Sequence, residues 1–212
     1  MRIAGKHTVE EWTKLKKRLE SATTSQELWD DAYRRFYRHR IETRYLRPID
    51  SIERHDTKKG EGFAVAALFC SLIEFLESCE KGDNFRFLRK GEKLRPNEYT
   101  QYGASRYFKD FLKTREPFKT LIPPKLVESF YSDVRCGLLH EARTKGGWII
   151  LAPKSHKTLK TLVSVEGDQI TLFRNRLLPS LKEYFDDYKK RLRNDPKTQN
   201  AFIRKFDHLC KD

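Results

Sequence analysis

The stretch FYSDVRCGLLHEAR, residues 130 to 143, sets an arginine and a histidine five positions apart, Arg135 and His140, near the end of an apolar helical pattern. These two residue types suit one reaction in particular. RNA carries its own nucleophile, the ribose 2′-hydroxyl, so breaking its backbone asks a protein only for a proton acceptor near neutral pH and a cation at the crowded phosphate. Histidine titrates in that range, and the arginine fork is always protonated and matches phosphate oxygens. On this reading His140 is the general base or acid and Arg135 holds the phosphate. No metal and no cofactor is needed, and the product ends are a 2′,3′-cyclic phosphate and a 5′-hydroxyl. An arginine and a histidine at this spacing also arise by chance in basic chains, so the weight falls on the elements that position them.

Stepping 100° per residue along a helix gathers Leu126, Val127, Phe130, Tyr131, Val134, Leu138 and Ala142 on one apolar stripe, the expected core face. Arg135 and His140 fall outside its centre, separated by roughly 140° of rotation and about 7.5 Å of rise. They straddle a second face of Ser129, Ser132, Cys136, Leu139 and Arg143, smooth enough for another helix to approach. If that other helix belongs to a second copy of the chain, two-fold symmetry gathers two arginines and two histidines into one cleft, and dimerisation assembles the site. Pro123-Pro124 and Gly146-Gly147 bracket the helix. Just beyond it, Arg143 and Lys145 and the basic run Lys154, His156, Lys157 and Lys160 either line an RNA path by neutralising phosphates or form a plain solvated loop.

The rest of the chain must hold this helix in place. With 212 residues the length suits a single domain, mainly α-helical, with core helices over about 24–143 and 174–210. Thr8 and Glu11 form a capping-box pattern opening a helix through Trp12, Leu15 and Leu19. From a start near Thr23 to Gln26, a basic, aromatic helix runs through Trp29, Tyr33 and Phe36 and is expected to stop before Pro48. FAVAALFCSLIEFLESC is apolar on nearly every side and reads as the central buried helix. An unpaired carboxylate inside it would be costly, so Glu74 is expected to pair with Arg135 or another arginine in a supporting role. Between about residues 147 and 173 the period switches to strands, a small β-hairpin or three-stranded meander turning at Glu166-Gly167-Asp168.

Lys and Arg outnumber Asp and Glu 44 to 30, giving +14 and a pI near 9.6. That balance points to polyanions such as nucleic acid or an acidic membrane surface, or simply to a lysine-rich soluble surface. Cys70, Cys79, Cys136 and Cys210 lack the spacing of a zinc site or a disulfide framework. His7, His39, His55, His156 and His208 suggest neither metal nor triad and read as surface residues. The sequence suggests no apolar run of membrane-spanning length and no secretory signal, so a cytoplasmic protein without membrane partners is expected.

The segment DVRCGLLHEA, Asp133 to Ala142, resembles the RxxxxH motif of the HEPN superfamily, all-helical domains many of which are metal-independent ribonucleases. SLIEFLE, Ser71 to Glu77, sits where such domains keep a long core helix, and the resemblance spans about Gly62 to Arg143. It implies a helical bundle; the β segment lies outside the resemblance and reads as an insertion after the motif helix. It also implies a homodimer through that helix and RNA cleavage by Arg135 and His140. Because members are often toxins or antiviral effectors, an antitoxin or defence-system partner is implied too. Cys136 departs from the Asn, Asp or His common at its position in active members. Either it is a tolerated small residue, or the domain binds nucleic acid or nucleotide without cutting it. A scaffold that uses the motif helix only for packing is a third reading.

Overall fold

In a computed structural model, the structure describes residues 2–4, 7–21, 25–55, 60–152 and 161–210. The protein is mainly helical. Two short strands, β1 (Arg2–Ala4) and β2 (His7–Thr8), lead into the helix Val9–Leu19. Thr8 caps that helix, its hydroxyl accepting from the Glu11 amide while the Glu11 carboxylate takes the Thr8 amide. A helical run over 26–54 follows, starting from Ser25, whose hydroxyl accepts from the Leu28 amide. Thr23 lies outside the described residues. The long helix Glu61–Lys81 comes next, then β3 (Asn84–Phe85), β4 (Glu98–Tyr99) and the helix Ala104–Thr114. After the short helix Phe118–Leu121, the motif helix covers 124–141. Strands β5 (Trp148–Leu151), β6 (Val163–Glu166) and β7 (Gln169–Phe173) precede the helices Leu177–Asn194 and Pro196–Leu209.

The run over 26–54 does not stop before Pro48. It carries wider π-type turns at Tyr33–Arg38 and Glu42–Leu46 and continues through Pro48 as the helix Arg47–Arg54. A proline removes one amide donor and crowds the preceding turn; here it falls in the first turn after a π segment, where the backbone pattern is already being reset.

The chain gathers into two compact units that interleave along the sequence: residues 1–47, 78–103 and 186–212 form the first, and 48–77 and 104–185 the second. The first unit is built on aromatic rings. Trp12 meets Phe36 at 5.2 Å and Phe206 at 5.6 Å between centroids, and Tyr37 stacks on Tyr188 at 4.6 Å. The Trp12 indole donates to Asp207 at 2.9 Å, and the buried Glu80 carboxylate takes a two-pronged pair from Arg191 at 2.6 and 2.7 Å.

The second unit packs Phe69, Phe108, Phe111, Phe118, Phe130 and Tyr184 together, all with negligible exposure. Burying each such ring contributes roughly 1.5–3 kcal/mol. Its sheet has the order β5-β7-β6, with β5 parallel to β7 and β6 antiparallel to β7. It is therefore not a meander. A two-residue turn between Glu166 and Gln169 fixes β6 and β7 as neighbours, and β5 joins the far edge of β7. Side-chain alternation reports which face is buried, not the direction of the neighbouring strand.

The long helix, 21 residues with a window of mean hydropathy 1.7, has the length and composition of a membrane span, contrary to the sequence expectation. Its interior location explains that composition: 56% of the window is buried inside the structure, and its buried Glu77 is matched by an arginine.

Candidate active site

Leu126, Val127, Phe130 and Val134 are buried, as a stripe at helical spacing requires, and they seat the motif helix on the second unit's core. Midway the helix widens into a π-type turn over Phe130–Arg135. The Ser129 hydroxyl bonds the Leu126 carbonyl at 3.1 Å and Ser132 bonds the Ser129 carbonyl at 3.4 Å, the kind of back-bonding that loosens a helical ladder. Arg135 is the last residue of the widened turn, and Cys136–Glu141 resume the α-helix.

The far end of the apolar stripe departs from expectation: Leu138 is half-buried, Ala142 exposed, and Gly137 buried in their place. The reason is the way the helix stops. Ala142 adopts a left-handed conformation (φ 53) with its amide on the Gly137 carbonyl, and the Arg143 amide reaches the same oxygen at 3.3 Å. The returning backbone comes so near that a Cβ on Gly137 would lie 2.4 Å from the Arg143 carbonyl oxygen. Farther on, the Lys145 amide bonds the Asp133 carbonyl, and a Cβ on Gly146 (φ +55) would strike the Asp133 carboxylate. The segment after the motif is thus folded back along the helix, and Trp148 enters β5 buried against Phe130, its indole donating to Ser129 at 3.3 Å.

Arg135 is half-buried. Its guanidinium carbon lies 5.4 Å from the centroid of the Tyr131 ring and its Nη1 3.9 Å from the Cys136 sulfur. Among the described residues no carboxylate pairs with it, although Arg86, Arg115 and Arg174, also partly or fully buried, each find one. The Tyr131 ring also carries Lys109, whose Nζ is 5.2 Å from the centroid. Burial raises the Tyr131 phenol above its ordinary value; the Arg135 charge opposes the rise, while Cys136 and Glu74 add to it. Buried Cys70, close to Arg135 and Cys136, is pushed up to about 12 by desolvation and stays a thiol.

His140 is exposed, with no hydrogen bond to any described residue, and its neighbour Leu139 is 62% exposed. The second face of the helix is therefore open: Ser132, Leu139 and Arg143 are exposed, Ser129 and Cys136 half-buried. Within one chain, five residues of helix separate Arg135 from His140, about 7.5 Å along the axis.

Glu74 does not take the expected arginine. It is half-buried and forms no ion pair with a described residue, because the carboxylate that faces the interior is almost one turn later. Glu77, fully buried, receives Arg115 through Nε at 2.8 Å and Nη2 at 3.0 Å. Arg143 and Lys145 both lean on Glu141, each at 3.0 Å, and hold its carboxyl below the ordinary range, Lys145 most strongly. Both pairs are open to solvent, where water and salt screen them. The basic run Lys154, His156, Lys157 and Lys160 lies outside the described residues.

Sequence reasoning counted Tyr131 as core and so missed it as the ring under two cations. The Tyr131/Arg135 spacing of four was the available signal. Compared with family models, with curated proteins and with solved structures, the chain matches none.

Proposed function

We propose that this protein is a metal-independent endoribonuclease of the HEPN type, acting as a homodimer through the motif helix, in the cytoplasm, in toxin or antiviral defence biology. The observation that carries this reading is Arg135, a half-buried guanidinium lying against a ring and a thiol with no carboxylate partner among the described residues, on the same helix as an exposed histidine. A guanidinium so placed is free to bind an anion. His140 takes the proton of a ribose 2′-hydroxyl, the oxygen attacks the adjacent phosphorus, and the bond to the 5′-oxygen breaks as that oxygen regains a proton. Arg135 holds the phosphate oxygens as charge builds on them. The open face of Ser132, Leu139 and Arg143 offers a second copy its seat and so brings one chain's imidazole toward the other's guanidinium. An antitoxin or another defence-system partner would restrain the enzyme.

The test is RNA incubated with the protein in EDTA, with product ends identified. The expected result is 2′,3′-cyclic phosphate ends, and a loss of cleavage by roughly 10²-fold or more in His140→Ala and in Arg135→Ala. Undiminished cleavage in both variants rejects the assignment.

A second reading is a nucleic-acid-binding or nucleotide-binding module without catalysis. It is favoured by Cys136, a weak hydrogen-bonding group placed directly against Arg135. Salt-sensitive RNA binding by the wild type, with no product in any condition, selects it.

A further inference from the structure

We propose that the β3–β4 excursion of the first unit is a binding platform for single-stranded RNA, with Phe85 and Phe87 as base-stacking rings and Arg89, Lys90, Lys93 and Arg95 as phosphate contacts. Exposure alternates along this stretch: Asn84, Arg86 and Leu88 are half-buried, whereas Phe85 and Phe87 are 44% and 67% exposed. Residues two apart on an extended chain share a face about 6.6–6.8 Å apart, which puts Phe85 and Phe87 on the same face of this stretch. The extended course is held beyond β3 itself, by the Arg86 amide on the Tyr99 carbonyl at 2.8 Å and by the Gln101 side chain on the Leu88 backbone. Phe85 is braced by Tyr99 at 5.5 Å between ring centroids.

Both acids of the loop are engaged within it, Glu98 half-buried and Glu92 exposed. Arg86 bonds Glu98 at 3.3 Å and pairs with Glu92 at 3.4 Å, while the Arg89 and Arg95 amides donate to those same two carboxylates. The Arg95 amide and Arg86 together hold Glu98 below the ordinary carboxylate range. Arg89, Lys90, Lys93 and Arg95 are left exposed, and none is ion-paired among the described residues. Two exposed rings beside four free cations, in a chain of net charge +14, match the chemistry of an unpaired nucleic-acid strand. Its bases offer faces to stack and its phosphates offer charge. A duplex hides those faces.

The inference stands on this loop and not on catalysis, so it is tested in the His140→Ala chain, which still presents the loop if cleavage proves absent. Fluorescence anisotropy with labelled oligouridine of about twelve nucleotides reads the affinity. Phe85→Ala with Phe87→Ala is expected to weaken binding about tenfold or more at constant salt slope. Arg89→Gln with Lys93→Gln is expected to lower the slope of log affinity against log salt by about one or more. Circular dichroism confirms that the variants fold. Unchanged affinity in the ring variant overturns the proposal, as does equal affinity for duplex RNA. Loss confined to vesicles of phosphatidylcholine and phosphatidylserine in equal parts, with RNA binding intact, assigns the loop to a membrane surface and also overturns it.

Discussion

Arg115 and Arg135 belong to the same unit and are both half-buried, yet their surroundings differ in kind. Arg115 closes on Glu77 with two parallel hydrogen bonds, so its charge is matched inside the fold. Arg135 rests on the Tyr131 ring and the Cys136 sulfur, neighbours that steady a guanidinium without neutralising it. The first arrangement ties the long helix to the helix Ala104–Thr114 and the turn after it, and the second is the one that the proposed reaction would use to hold a phosphate. An arginine's role is thus read from what faces it rather than from its burial.

The comparison breaks if the two arginines prove interchangeable. Arg115→Ala strands a buried carboxylate and is expected to cost about 3–5 kcal/mol in urea unfolding, with Glu77→Gln added to it recovering part of the loss. A cost no greater than that of Arg135→Ala would erase the distinction. Gly137→Ala is next in size. The new methyl meets the Arg143 carbonyl, and the expected loss is about 1–3 kcal/mol, seen as a lower denaturation midpoint. An unshifted midpoint would mean that the turn after the motif yields freely. Smallest is Arg135→Ala itself, which gives up a ring contact and should change stability by less than about 1 kcal/mol while removing cleavage. A large stability loss there would make Arg135 a structural residue like Arg115.

Much of this architecture could be read from residue order because its signals are local. The Thr8/Glu11 box, the apolar run at Phe63–Cys79 and the stripe Leu126, Val127, Phe130, Val134 each announce an element within a few turns. What escaped the sequence depends on distant partners. Glu74 and Glu77 look equally placed in SLIEFLE; only Arg115, 38 positions away, decides which carboxylate is the buried one. The continuation past Pro48 hinges on a π-type turn that no periodicity marks. The parallel seat of β5 on β7 is equally silent, and so is the interleaving of two units, since neither has a boundary where composition changes. At the candidate site the residue types are legible, but that no described carboxylate pairs with Arg135 is not, because an absence in space leaves no trace in the chain.

The pairing of Trp12 with Asp207, 195 positions apart, has a bearing on how the protein comes into being. A nascent chain emerging at about 5–20 residues per second leaves the first amphipathic helix waiting roughly 10–40 s before its indole can meet the segment that shelters it. Through that interval Trp12 can meet Phe36 but neither Phe202 nor Phe206, so the stripe it forms with Leu15 and Leu19 is covered in part. Holdase chaperones that bind such stripes therefore have a defined window in which to govern how much of the finished protein a cell receives.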